Sequence, residues 1–156
     1  MFNSPSKKSF LMLCDLRFSA KDFDIDDAVA MLHFKPYRIW RQGEIANGRT
    51  NKIFPDSGFL VAASETDFNF FQQQITDVIA FATVHQDDLQ KVKGLMEKSR
   101  EPSLWFDFGI ETRMFNVGVQ IDFLPVELLA LCAKINAGIK ITQYHPSSEG
   151  GEESTD

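Results

Sequence analysis

Residues 9–19 place Phe10, Met12, Cys14, Leu16 and Phe18 on one parity and Asp15, Arg17 and Ser19 on the other, and this period of two predicts a half-buried first strand. Asp22, Asp24 and Asp26 then lead into Ile25, Val29, Met31 and Leu32 at mostly helical spacing. Acids at a helix start cap free N–H groups and suit the dipole, so a short helix is predicted over 24–33. From Phe34 to Gly58 the periodicity fails, and Pro36, Gly43, Asn47-Gly48 and Pro55-Asp56-Ser57-Gly58 mark turns in a long loop with room for a brief hairpin. Phe59 to Ala63 reads as the second strand.

Thr66-Asp67 is placed to cap a helix carrying Phe68, Phe71, Ile75, Val78, Ile79 and Ala82. Gln86-Asp87-Asp88 restarts a helix that uses Leu89, Val92, Leu95 and Met96 and ends near Arg100, before Pro102. Leu104, Phe106, Phe108 and Ile110 alternate with Trp105, Asp107 and Gly109. Beyond Glu111-Thr112, Phe115, Val117, Val119, Ile121 and Phe123 alternate with Asn116, Gly118, Gln120 and Asp122, which predicts a hairpin. Pro125 opens a last helix through Val126, Leu128, Leu129, Cys132 and Ile135, Gly138 suits its C-terminal cap, and Ile139 to Tyr144 closes as the fifth strand.

The order β-α-β-α-α-β-β-α-β predicts an α+β fold: an antiparallel or mixed five-stranded sheet with helices mainly on one face, as in a ferredoxin-like sandwich. Residues 9–145 read as a single α+β domain, 1–8 as a flexible N-terminal arm, and 146–156, rich in Ser, Gly and Glu, as a disordered acidic tail.

Composition sharpens this picture in two ways. Fifteen Phe against two Trp and two Tyr supply large apolar side chains with no polar atom to satisfy, which favours packing over chemistry. The net charge is −6, but four acids lie in the tail, so residues 1–145 hold sixteen cationic against eighteen acidic side chains, a net of −2. That balance argues against nucleic acid or an acidic membrane surface as partner. Apolar stretches are too short to cross a bilayer and the N-terminus lacks the order of a leader, so a cytoplasmic protein is expected. Cys14 and Cys132 each sit in an apolar pattern without CxxC spacing and are expected as buried, reduced thiols.

Asp22-x-Asp24-x-Asp26 resembles the start of a calcium loop, but the sixth place holds Asp27 instead of Gly and the twelfth holds His33 instead of Glu. His33, His85 and His145 stand singly, with only His85 near acids, Asp87 and Asp88, so no metal and no cofactor is expected. GxSxG, HExxH, GxxxxGK[ST] and GxGxxG are absent, and no catalytic residue is assigned. Asp107 and Asp122 share the polar parity of the predicted hairpin, where two carboxylates serve either acid/base work or the solubility of an open face.

One segment remains. Residues 35–52 carry Lys35, Arg38, Arg41, Arg49 and Lys52 against Glu44, a local +4, interleaved with Tyr37 and Trp40. Arginine forks beside aromatic faces suit recognition of a carboxylate, a phosphate or a partner protein, so Tyr37, Arg38, Trp40, Arg41 and Arg49 are the candidate binding residues. The plainer alternative is a loop pinned by Trp40, with its arginines solvated or paired to Asp22–Asp27.

The run Phe34-Lys35-Pro36-Tyr37-Arg38-Ile39-Trp40-Arg41-Gln42-Gly43, after a strand and an acidic helix entry, resembles a bacterial family known as domain of unknown function 4279. The likeness spans about residues 9–145, with Phe59-Leu60 standing where members often have a Trp. It implies no catalytic residues; it points to immunity proteins that neutralise toxins of neighbouring bacteria. Two classes of function follow. One is a binding protein that blocks another protein, a toxin under the resemblance, by surface complementarity. The other is a sensor or enzyme for a small anion, built on Arg38, Arg41 and Arg49 with Tyr37 or Trp40 stacked on the ligand. Self-association as a homodimer through an exposed sheet face or edge is compatible with both.

Overall fold

The structure, a computed structural model, describes residues 13–114 and 117–145, so the expected arm 1–8 and tail 146–156 lie outside the described residues. The elements are β1 (Cys14–Lys21), α1 (Ile25–Ala30), β2 (Arg38–Trp40), β3 (Ile45–Asn47), β4 (Lys52–Ile53), β5 (Ser57–Ser64), α2 (Phe71–Val84), α3 (Gln86–Lys98), β6 (Arg100–Glu111), α4 (Val126–Ile135) and β7 (Gly138–Tyr144). Five strands form one mixed sheet in the order β2-β5-β1-β6-β7, and β3 and β4 pair separately as the brief hairpin of the long loop. Every neighbouring pair in the main sheet is antiparallel except β6 with β7.

These pairings make two interlocked strand–helix–strand units. β1 and β2 run the same way with β5 between them, and β5 and β6 run the same way with β1 between them. α4 then carries the chain to β7, laid parallel along β6 at the sheet's edge, with Trp105 opposite Gly138 and Glu111 opposite Tyr144.

The period-two parity of β1 holds. Cys14, Leu16, Phe18 and Ala20 face the same side as Phe59, Val61, Leu104, Phe106, Phe108 and Ile110, because Leu16 registers with Val61 and Phe106, and Phe18 with Phe59 and Leu104. The helices bury Ile25, Phe71, Ile75, Val78, Leu89, Val92, Leu128 and Cys132 against this side in one core. Phe71 meets Phe108 edge-on at 5.4 Å, and Phe18 contacts Phe59 at the same centroid distance, a geometry worth about 1 kcal/mol per pair beyond area. Cys14 and Cys132 are free and buried; burial pushes the Cys132 thiol up to about 11, and it raises that of Cys14 further.

Four expectations are corrected. β2 falls inside the segment read as a loop: three residues are too few to show a period, and Pro36 lies just outside the strand, where no ladder bond is lost. The second strand of the predicted hairpin does not form over 117–123, and the place beside β6 is taken by β7. α2 starts at Phe71 with no side-chain cap, because the Thr66 and Ser64 hydroxyls donate instead to Asp77, one turn and more inside the helix. At the end of α4 the left-handed residue is Asn136, φ 57°, while Gly138 already begins β7. The N-cap of α1 is as expected: Asp24 Oδ1 accepts from the N–H groups of Asp26 and Asp27 at 2.9 and 3.1 Å.

Candidate functional site

The opposite face of the main sheet carries the other parity, and no helix of the described residues packs on it. Arg38, Leu60, Arg17, Trp105 and Gly138 form one row across five strands, and Asp15, Asp107 and Lys140 form the next. Trp40 enters from β2, registered with Gly58. A Cβ on Gly58 would overlap Trp40 Cζ2 and the carbonyl oxygen of Phe18, so the bare glycine is what lets the indole lie down across β5 toward β1. Trp40 is 2% exposed; its Nε1 donates to Asp56 Oδ1 at 2.9 Å, and Phe54 flanks its ring at 6.0 Å.

Arg17 lies at the centre. Its Cζ stands 4.5 Å from the Trp40 ring centroid and 5.5 Å from that of Trp105, so the guanidinium lies over both indoles, each contact worth about 1 kcal/mol. Arg17 Nε is buried without an acceptor, as is Trp105 Nε1, and each sealed donor costs about 1–3 kcal/mol in lost hydration. No carboxylate of the described residues pairs with Arg17, although two lie on its face.

Those two carboxylates are already engaged. Asp15 and Asp107 are direct cross-strand partners, an arrangement of like charges that needs compensation. Asp107 accepts from Lys140 Nζ at 2.8 Å and Thr142 Oγ1 at 2.7 Å. Asp15 accepts from Tyr37 Oη at 2.7 Å. Burial raises the Asp15 carboxyl above its ordinary range, the Tyr37 hydrogen bond lowers it in part, and Asp107 raises it again. The Tyr37 phenol is pushed up in turn, by burial and then by its bond to Asp15.

Of the five candidate residues, the structure brings Tyr37, Arg38 and Trp40 to this face and separates the other two. Arg41 donates to Asp26 through Nε at 2.9 Å and Nη2 at 2.5 Å, the pairing expected of the plainer alternative. Arg49 lies exposed in the turn between β3 and β4. Sequence reasoning missed Arg17 and Trp105, whose signal was their place on the polar parity of two strands, where both indoles of the chain and one arginine converge.

Asp122 does not meet Asp107 on the sheet: it lies in the segment before α4 and is bonded to Arg113 Nη2 and Gln120 Nε2, both at 2.7 Å. That segment is turned inside out relative to its pattern. Gln120 and Asp122 are half-buried, held by Arg113 and with Gln72 Nε2 bonded to the Phe123 carbonyl at 3.0 Å, whereas Val119, Ile121 and Phe123 are 67%, 83% and 66% exposed. Val117 before them and Val126 and Leu129 after them in the chain are exposed as well, an apolar ridge in sequence along this stretch. A cleft lined by Phe70, Gln72, Arg113, Ile121 and Asp122 borders it.

Elsewhere, Asp88 at the start of α3 is buried and accepts from the backbone N–H groups of His33 and Phe34 at 2.7 and 2.9 Å, and it contacts His33 Nδ1 at 2.9 Å and Lys91 Nζ at 3.2 Å. Burial works to raise this carboxyl, but the donors outweigh it and hold it at about 2. His85 Nδ1 lies 4.0 Å from the same carboxylate. The cluster ties the end of α1 to α3, and among the described residues no group of three or more His, Cys, Asp or Glu side chains is arranged to hold a metal ion. No helix of the described residues is long and apolar enough to cross a membrane.

No family model matches this sequence, no curated protein matches it, and no solved structure matches its fold.

Proposed function

We propose that this chain is a non-catalytic binding protein that acts by protein–protein interaction, of the bacterial immunity type, on a ferredoxin-like frame extended by α4 and β7. The observation that carries this reading is the inverted run before α4, where Val119, Ile121 and Phe123 face solvent while Gln120 and Asp122 are held inward. A chain free to bury one parity would bury the apolar one, because each Ile, Val or Phe side chain moved out of water is worth about 2 kcal/mol. Polar side chains fixed inward by Arg113 keep that apolar area available, and contiguous exposed apolar area marks surfaces that meet another protein. The neighbouring cleft offers a pocket for a partner's anchoring side chain.

The resemblance of Phe34–Gly43 and of the element order to domain of unknown function 4279 supports the same class and a cytoplasmic setting, with a toxin as the partner. An anion site made of Arg38, Arg41 and Arg49 has less support, since Arg41 is committed to Asp26 and Arg49 lies on the β3–β4 ribbon.

The test is co-expression with the toxin encoded beside this gene, and titration calorimetry with the purified pair. Protection of the cells, with Ile121→Asp and Phe123→Asp each weakening binding about tenfold or more, is the expected result. A wild-type chain that neither protects nor binds, or variants that bind as tightly as wild type, would overturn the reading.

A further inference from the structure

The guanidinium of Arg17 has donors that no acceptor among the described residues takes. It lies over the rings of both Trp40 and Trp105, contacts that use none of its donors. Nε is buried, whereas the two terminal nitrogens are not sealed off and no acceptor of the described residues takes them. The carboxylates nearest in the sheet are spent elsewhere: Asp15 on Tyr37, Asp107 on Lys140 and Thr142. The arrangement is an arginine held against two indoles, with terminal nitrogens left unpaired among the described residues.

We infer that the face between Trp40 and Trp105 is a carboxylate-binding site, in which the terminal nitrogens of Arg17 take the two oxygens of one carboxylate side by side. A planar monoanion fits better than a phosphate dianion for two reasons. One unspent cation lies at the centre, with Arg38 in the same row at the rim and Lys140 already neutralised by Asp107. A second negative charge would sit beside Asp15 and Asp107, where like charges in a half-buried setting repel. The fork geometry matches a carboxylate in its own plane, which is where fixed guanidinium groups gain most. The ligand is either a small carboxylic acid or a Glu, Asp or chain-terminal carboxylate of a protein. This inference goes beyond the apolar ridge and does not depend on it.

Both tryptophans of the chain flank Arg17, so the two indole N–H resonances, or the intrinsic tryptophan fluorescence, report this site and nothing else. The full chain would be titrated with sodium acetate and with a short peptide carrying one Glu, against sodium chloride at equal ionic strength and the same peptide with Gln. Saturable shifts with acetate and the Glu peptide, absent with chloride and the Gln peptide, are expected. Arg17→Lys should weaken binding about tenfold or more, because it keeps the charge and loses the fork. Arg17→Gln should abolish it with the thermal midpoint retained. If Arg17→Gln fails to fold, Arg17→Lys carries the test. Binding of the Glu peptide well above acetate identifies a protein carboxylate as the source, and equal binding identifies a small acid. A wild-type chain whose indole signals do not saturate, or an Arg17→Lys chain that titrates like wild type, overturns the inference. Loss of partner binding through the ridge would leave this titration intact, so the two readings fail separately.

Discussion

Trp40 and Gly58 are cross-strand partners, and the indole of the first fills the space a side chain on the second would need. Gly58→Ala therefore has no small accommodation available, since the added methyl meets both the ring and the carbonyl oxygen of Phe18 on the neighbouring strand. The β1–β5 spacing or the Trp40 rotamer must give. We predict a loss of about 3 kcal/mol in urea unfolding. Tryptophan emission should shift as well, because the moved ring is one of the chain's two indoles. An unchanged midpoint with unchanged emission would mean that the indole does not lie across the glycine.

How far the sequence could be read follows from the same strands. β1 and β6 were legible because their alternation runs over enough residues for one face to be buried and the other to stay polar. β2 was not, since Arg38-Ile39-Trp40 is set by its register with β5 and has no period of its own. The run 117–123 has as clear an alternation as β6, yet only tertiary context decides that Arg113 holds its polar residues, that Gln72 holds the Phe123 carbonyl and that β7 takes the sheet position. The candidate site was legible in half. Tyr37, Arg38 and Trp40 came from a visible cluster of charge and aromatics, whereas Arg17 and Trp105 join it through strand pairing between residues far apart in the chain.

Asp88 makes stability depend on acid. Its folded value of about 2 lies below the ordinary 3.8, so the folded state prefers the ionised form and the contribution is complete above the unfolded value. As pH falls through 3.8 toward 2 the contribution is lost, amounting to about 2 kcal/mol. Chemical denaturation of wild type and Asp88→Ala should show a gap at neutral pH that narrows over that window. The neutral gap should be about 3 kcal/mol, since the substitution also orphans the N–H groups of His33 and Phe34. A gap that stays constant down to pH 2 would remove the charge from the explanation.

Asp15 has the opposite sign. Burial raises its carboxyl, so the folded state resists ionisation, and stability is lost as pH rises through the ordinary value to the raised one. Asp15→Asn keeps an oxygen to accept from Tyr37 Oη, and it removes both the buried charge and its repulsion by Asp107. The variant should be more stable than wild type at neutral pH by about 1 kcal/mol, and the advantage should shrink on acidification, where wild type protonates. Thermal unfolding across pH checks it, and a variant less stable than wild type at neutral pH would show that the ionised carboxylate is the better acceptor for Tyr37.

The inverted run before α4 makes the sharpest contrast in stability. Were 117–123 the sheet strand its pattern predicts, removing a large side chain there would open a cavity. Ile121 is 83% exposed and Phe123 66%, so Ile121→Thr and Phe123→Ser remove nothing from the core. Each should change unfolding stability by less than about 0.5 kcal/mol, against about 4 kcal/mol for Phe106→Ala in the fully buried sheet face. Arg113→Ala should act differently from both, because it removes the guanidinium bond that holds Asp122 inward, leaving only the bonds of Gln120 to the residue 113 N–H and to Asp122. Hydrogen exchange over 117–123 should then quicken while that of β6 stays slow. If Ile121→Thr costs as much as a core substitution, the run is packed against the domain and is not the surface that meets a partner.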